Sequence, residues 1–295
     1  MSDDERLDVR VARDFGLSRR RAQDAIGAGQ VDVGPSRARD AGHRVSPSQP
    51  VAFNPNRRRE VSIRLSLTAV FQDEDLVVVD KPPGLLTVPT EGGTHDDSVL
   101  SRLRADLTRA RGPRAYVGAL HRLDRGTSGL VAIALSRECH ARGRAAFREH
   151  AFRRRYLALV EGGPKASSGT IDLPIADDYE SGKRHIARDD DEPSRHAVTH
   201  YRVKERFPRG ALLEVELDTG RQHQIRLHLR AIGHPIVGDG VYGSKERSSG
   251  SRPFLHACRL AFPHPLSREA IDCESDPPKD FADALKRLRV GASRR

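Results

Sequence analysis

The chain has 295 residues, of which 37% are apolar, and a net charge of +10. That length exceeds the roughly 100–200 residues of one typical domain, so two units are expected. The longest clean apolar run, Leu130 to Leu135, is six residues, which excludes a membrane span because a helix needs roughly 20 to cross a bilayer. The polar start "MSDDERLDVR" lacks the basic head and apolar middle of a signal peptide, so a cytoplasmic location is expected. Cys139, Cys258 and Cys273 lie far apart with no Cys-x-x-Cys pair, which argues against a disulfide framework and a zinc site. Arginine supplies 44 of the 51 basic residues. Base composition of the genome explains part of that excess. A guanidinium also grips phosphate bidentately where an ammonium does not, so nucleic acid is the default partner of such a chain.

In chain order, residues 1–58 read as a small separate α+β unit. A short helix is predicted around residues 6 to 14. Ser18 is placed to cap a second helix, with Ala22, Ala25 and Ile26 on its inner face and Gly27 or Gly29 near its end. Strand-like "QVDVG" and "QPVAFNP" follow. Arg19, Arg20 and Arg21 fall in the first turn of the second helix, where cations oppose the helix dipole at a cost of roughly 0.3–1 kcal/mol each. A bound phosphate would reverse that sign; the plainer reading is a solvated basic face. The pattern "RLDVRVAR…LSRRRAQDAIGAGQVDV" resembles the alpha-L RNA-binding module of a small-subunit ribosomal protein and many RNA-modifying enzymes, and departs from it after Val33. The resemblance implies that Arg19, Arg20 and Arg21 contact RNA.

The polar, basic stretch after Asn54 ends in a linker over residues 59–66. A second domain then runs from 67 to 295. Strands are predicted at Leu76 to Val79, Val117 to Leu120, Leu130 to Leu135, and within "FRRRYLALVEG" and "ALLEVELDTG". Their irregular alternation with helices argues for an α+β rather than a doubly wound domain. Residues 177–196, rich in charges of both signs, are expected to form a mobile loop, and "LKRLRVGASRR" a short terminal helix and basic tail.

Three segments hold chemically suggestive residues. In "GALHRLDRGTSGLVAIAL" one carboxylate, Asp124, stands between Arg122 and Arg125 in a turn that Gly126 and Gly129 permit. His121, Asp124 and Ser128 invite a serine-hydrolase reading, but "GTSG" lacks the Gly-x-Ser-x-Gly spacing of a nucleophile elbow. In "RRRYLALVEG", Tyr156 precedes an apolar alternation; such a tyrosine alone is usually a core aromatic. In "LDTGRQHQIRLHLRAIGHPIVGD", Thr219 is expected to cap a helix starting near Gly220 and ending at Gly233, with Ile225, Leu229 and Ile232 facing the core. Arg226 borders that stripe. A half-buried guanidinium needs an anionic partner, and Asp124 is the candidate. A zinc site on His223 and His228 fails for want of further ligands.

"HRLDRGTSGL", "RRRYLALVEG", "TGRQHQIRLHL" and "RPFLHACRLAFPHP" occur in this order, and together they resemble the motifs of the RluA family of pseudouridine synthases. "VVVDKPPGLLTVP" and "GHPIVGDGVYG" also match family segments, although Asp80 stands where Asn commonly precedes Lys-Pro, and Val88-Pro89 where His-Pro is frequent. The resemblance spans roughly residues 67 to 270. It implies the pseudouridine synthase fold, a mixed and mainly antiparallel central sheet with flanking helices and loops. It further implies Asp124 as catalytic aspartate, Tyr156 as active-site tyrosine, Arg226 as partner of the aspartate, and Leu255 as an apolar wall of the base pocket. Arg122, Arg221 and His223 are then candidate substrate-binding residues, with Arg122 filling the space of a flipped nucleotide.

The implied reaction moves uracil from its N1 to its C5 on ribose C1′. It needs no redox cofactor, metal or nucleotide, so none is expected. The expected partner is RNA, ribosomal RNA of the large subunit ahead of tRNA, acted on by a monomer away from membranes. Rival readings are a tRNA pseudouridine synthase and a non-catalytic RNA-binding or ribosome-assembly factor on the same fold. A glycosidase would need a second carboxylate beside Asp124. A metal-dependent nuclease would need clustered acids, and "DDDE" at 189–192 sits in a polar, solvated context.

Overall fold

The computed structural model describes residues 4–55, 57, 63–90, 96–177, 184–188, 193–243 and 252–290. The N-terminal unit runs β1 (Glu5–Arg6), α1 (Leu7–Asp14), α2 (Arg19–Gly27), β2 (Val31–Val33), β3 (Ser36–Arg37), β4 (Arg44–Val45) and β5 (Val51–Phe53). Ser18 caps α2 as expected, its hydroxyl accepting the Arg21 N–H at 3.3 Å. Leu7, Val11, Ala22, Ala25, Ile26, Val31 and Val45 pack as a core of their own. Asp8 is buried beneath it and takes hydrogen bonds from Arg6, Arg19 and Gln23. Arg57 closes the unit by gripping Asp32 through both guanidinium Nη atoms at 2.7 Å; residues 59–62 of the linker beyond it lie outside the described residues.

The second unit begins with β6 (Ala69–Gln72), β7 (Leu76–Lys81), α3 (Val99–Arg111), β8 (Gly118–Ala119), β9 (Ser128–Ala134) and α4 (Arg137–Arg148). It continues through β10 (Arg153–Glu161), β11 (Ser168–Asp172), β12 (Ile175–Asp177), β13 (Arg184–Ile186), β14 (Ser194–Arg195), β15 (Val198–Phe207) and β16 (Gly210–Leu217). The chain then forms α5 (Gln224–Ala231), β17 (Leu255–Pro263), β18 (Ala270–Glu274) and α6 (Lys279–Val290). Ten strands make one sheet, ordered β11-β15-β16-β10-β17-β9-β7-β6, with β18 beside β17 and β8 beside β9. Among the named strands of the described residues only β9 and β17 pair in parallel; the remaining strand pairs are antiparallel, as the mixed, mainly antiparallel expectation requires.

The period of two along the central strands divides the apolar residues between two faces. Val77 and Val79 of β7, with Val131 and Ile133 of β9, join the core covered by α3 and α5. Leu76, Val78, Leu130 and Ala132 point the other way, toward Cys139 and Ala146 of α4. Each fully buried side chain of this kind contributes roughly 1.5–3 kcal/mol. The parallel contact needs Gly129: its φ is +109°, and a Cβ there would stand 2.3 Å from the Ala257 carbonyl oxygen.

Two expectations are corrected. The helix expected from Gly220 begins at Gln224, because Thr219 does not cap it; its hydroxyl instead donates to the Gln224 side chain at 2.8 Å and accepts the Val198 N–H at 2.9 Å. The stretch 177–196 is not a bare loop: its described parts supply β13 and β14, which pair on either side of β12. The acidic run at 189–192 and the last five residues lie outside the described residues. Helices α3 and α4, absent from the sequence reading, are capped by Ser98 and Ser136.

Candidate active site

The turn after Leu123 is held from several sides. Thr87 donates its hydroxyl to the Leu123 carbonyl at 2.9 Å and accepts the Leu123 N–H at 3.1 Å. Lys81, fully buried at the end of β7, donates to the carbonyls of Pro82, Leu85 and Arg125 at 3.0, 2.8 and 3.2 Å. Within the turn the Thr127 N–H reaches the Asp124 carbonyl at 3.1 Å. Asp124 is therefore presented by a braced backbone just ahead of β9.

A cleft of about 690 Å³ opens there, and Asp124, Tyr156, Arg226, Arg122, Leu255, Arg221 and His223 all line it. Asp124 comes from the turn before β9, Tyr156 from β10, Leu255 from β17, and Arg226 from α5. These seven residues, taken from segments over 100 positions apart, meet at one site. Arg19, Arg20 and Arg21 are on α2 of the N-terminal unit and do not line the cleft.

Arg226 reaches Asp124 as expected, Nη1 to Oδ2 at 3.2 Å. Asp124 is nevertheless its lesser partner. Asp239, 1% exposed, takes Nε and Nη2 through separate oxygens at 2.7 and 2.8 Å. Burial opposes the charge of Asp239, but the Arg226 bonds and charge, with the N–H groups of Tyr242 and Val241, outweigh it and hold the carboxyl below its usual range. His223 approaches the same Asp124 oxygen, Nε2 to Oδ2 at 3.8 Å. Among the described residues Asp124 Oδ1 accepts no hydrogen bond, so one oxygen of this cleft-lining carboxylate is anchored and the other is left without a protein donor.

Tyr156 is 6% exposed. Burial pushes its phenol pKa up, opposed by Arg154 and helped by Asp124, so the hydroxyl keeps its proton near neutral pH. Its Oη bonds no protein group among the described residues. Leu255 is 4% exposed and pairs across strands with Ala158, two residues from Tyr156, so an apolar wall stands next to the phenol. Arg122 is exposed at the rim, and Arg221 is pinned by its Nε–H to the His196 carbonyl at 3.0 Å.

The hydrolase reading fails in space as well as in spacing. Ser128 is buried on β9 and pairs with His256 Nδ1 at 3.1 Å, outside the cleft. His121 does line the cleft, but its Nε2 accepts the Ala132 N–H at 3.2 Å, and burial pushes its pKa down to about 3. A neutral ring already committed to backbone is no general base for that serine. His228 donates to the Leu173 carbonyl at 3.0 Å and shares no ligand position with His223.

Sequence reasoning missed Asp239, Tyr242, Lys81 and Thr87. A signal existed for the first: a buried guanidinium offers more donors than one oxygen of Asp124 can take, and Asp239 is the acid in "GHPIVGDGVYG".

A sheet of this topology, carrying an aspartate, an arginine and a tyrosine around one cleft and joined to a basic two-helix module, defines an RNA-acting enzyme. The RNA pseudouridylate synthase family matches residues 75–231, and the S4 domain matches residues 5–51. An RNA pseudouridine synthase of Mycobacterium bovis is 37% identical over 96% of this chain and 94% of its own. Ribosomal large subunit pseudouridine synthase D of Zymomonas mobilis is 35% identical over 77% of this chain and 74% of its own. Among solved structures, human RNA pseudouridylate synthase domain containing 4 superposes with a TM-score of 0.63 at 26% identity, covering 75% of this chain and 93% of that one. The chain belongs to the RNA pseudouridylate synthase family, in its RluA branch, and is an isomerase with an N-terminal S4 RNA-binding domain. No helix among the described residues is long and apolar enough to cross a membrane.

Proposed function

We propose that Asp124 is the carboxylate that acts on the ribose of a flipped uridine, and that the substrate is structured RNA of the large ribosomal subunit. The observation that carries the first part is the asymmetry of Asp124: Oδ2 rests on Arg226 at 3.2 Å, and Oδ1 takes no hydrogen bond among the described residues. An oxygen left free of protein donors, on a carboxylate that lines the cleft, can attack C1′ or take the C2′ proton; either route uses the same atom and the same anchored partner.

A uridine stacked in folded RNA cannot turn in place, so it leaves the stack at a cost of a few kcal/mol. Arg122, exposed at the rim two residues before Asp124, fills the vacated space or holds the backbone. In the cleft the N1–C1′ bond breaks, the base turns, and C5 bonds to C1′. The proton lost from C5 is balanced by one gained at N1, so nothing else enters or leaves. Arg226 orients the carboxylate and stabilises its charge. Tyr156 packs against the base, and its neutral hydroxyl, free of protein partners, relays the C5 proton directly or through a water. Leu255 keeps bulk water from the detached sugar.

For the RNA target, support comes from the S4 domain and from relatives in three bacteria, at 35, 36 and 35% identity, named ribosomal large subunit pseudouridine synthase D. Asp124→Asn is expected to abolish isomerisation while RNA affinity stays near that of the parent; full turnover would remove Asp124 from the reaction. Pseudouridine mapping of total RNA from a strain lacking the gene should show sites missing from large-subunit rRNA. Losses confined to tRNA would overturn the assignment of target.

A further inference from the structure

Three non-glycine residues among those described have a left-handed backbone, His150, His223 and Arg268, and of these only His223 lines the active-site cleft. At φ +59° it precedes α5 as its N-terminal flank, without a side-chain cap. Such strain persists only where the surroundings over-determine it, and it gathers at functional sites. The surroundings here are specific. His223 Nδ1 lies 2.9 Å from Tyr242 Oη, and the same Oη accepts the Arg184 N–H at 3.3 Å. With one lone pair so occupied, the phenol still holds one proton that it can donate to Nδ1. A neutral ring that accepts at Nδ1 carries its proton at Nε2, the nitrogen 3.8 Å from Asp124 Oδ2.

Tyr242 is itself fixed. It is buried, its N–H is donated to Asp239 Oδ1 at 3.0 Å, and the Arg226 guanidinium lies 4.9 Å over its ring. The charged groups facing His223 are Asp124 from the active-site turn, Arg226 on α5, Asp239 from the turn beyond it, and Arg184 on β13. Two carboxylates and two guanidiniums leave no net charge to hold an imidazolium, and burial disfavours it.

We propose that Tyr242 is a positioning residue that locks His223 in its Nε2–H tautomer, giving Asp124 Oδ2 a second donor beside Arg226. The inference rests on Asp124 being the reacting carboxylate. A separation of 3.8 Å exceeds a hydrogen bond, and closure on RNA shortens it, as catalytic hydrogen bonds tighten from apo to complex. Oδ2 is then held from two sides and Oδ1 alone turns to the ribose. Through the Arg184 N–H the small β12–β14 sheet becomes part of the catalytic scaffold.

Nitrogen NMR of the full-length protein labelled at histidine tests the lock directly. His223 is expected as a single neutral Nε2–H form at pH 7.5; the Nδ1–H form or a mixture overturns the proposal, whatever Asp124 does. Tyr242→Phe removes one oxygen, and kcat on RNA is expected to fall on the order of tenfold at pH 8 with KM unchanged. The loss should shrink only well below the ordinary imidazole value of about 6.5, which burial lowers here, since an imidazolium carries its Nε2–H without help from Tyr242. A loss that does not vary with pH, or one confined to KM, overturns it. Turnover by Asp124→Asn would instead sink the reading of Asp124 and leave the tautomer result standing.

Discussion

Asp239 holds the Arg226 guanidinium through both of its carboxylate oxygens, at 2.7 and 2.8 Å, and leaves Asp124 a single contact at 3.2 Å. The buried pair fixes the plane of the guanidinium, so the direction in which Nη1 points is set before substrate arrives. Asp124 borrows that preorganisation at one oxygen and keeps the other free. A second carboxylate in full contact with Arg226 would be a worse catalyst, because both its oxygens would be occupied.

Asp239→Asn removes one charge from that buried pair. Breaking a buried ion pair costs about 3–5 kcal/mol, and a urea midpoint should register most of that. Turnover should fall as well, because Arg226 is freed to swing onto both oxygens of Asp124. The pH dependence has a definite sign. The folded carboxyl of Asp239 lies below its unfolded value, so its contribution is complete above the unfolded pKa of about 3.9 and is lost as the pH falls through the lower folded value. Between pH 7 and 3 the parent should therefore lose more stability than Asp239→Asn loses; equal losses would mean that the pair does not matter to folding.

Lys81 has another logic. Its ammonium supplies three protons to three carbonyls of the Asp124 loop and the turn after β7. Lys81→Met should leave the buried Leu85 carbonyl unpaired, at about 1–3 kcal/mol, and loosen the turn that carries Asp124, where the Arg125 carbonyl keeps only the Gly84 N–H. Burial pushes the Lys81 amine down to about 7, with Asp124 opposing and Arg252 assisting. The unfolded chain, titrating near 10.4, then binds more protons than the folded one between about pH 7 and 10.4. Stability of the parent relative to Lys81→Met should rise with pH across that window and be flat below it. Denaturation midpoints at pH 6, 8 and 9.5 check the sign.

The parts legible from sequence were those in which local pattern and function coincide. Ser18 before an amphipathic run foretold α2, unbroken apolar runs foretold β7 and β9, and alternating apolar residues foretold β10 and β16. The three motifs carrying Asp124, Tyr156 and Arg226 were readable through their resemblance to a family, since Tyr156 alone reads as a core aromatic. Helix α3 was missed although Val99, Leu103 and Leu107 recur at helical spacing and all join the core, because arginines dominate its outer face. Gln224 explains the misplaced start of α5. Its side chain bonds Thr219, the Arg221 N–H, the Val198 carbonyl and Thr199, holding residues 219–223 outside the helix by tertiary contacts that no local rule encodes. Tyr242 and Asp239 were quoted only as part of a matching segment, since their roles depend on a partner that folding brings from α5.

Arg20 and Arg21 offer the last test, on the N-terminal domain. Arg19 is committed to the buried Asp8 at 3.2 Å, whereas Arg20 and Arg21 are exposed and make no ion pair among the described residues. Both stand in the first turn of α2, where a cation costs roughly 0.3–1 kcal/mol against the helix dipole. Replacing both with Gln should thus leave the fold as stable as before or slightly more so. If the pair meets phosphate, RNA affinity should drop and the slope of log affinity against log salt should become shallower by about 0.7–0.9 for each phosphate no longer neutralised. Turnover at saturating RNA should not change, because neither residue lines the cleft. Arg19→Gln should behave differently, costing stability through Asp8 before it costs affinity. An unchanged salt slope in the double variant would reduce the cluster to a solvated face.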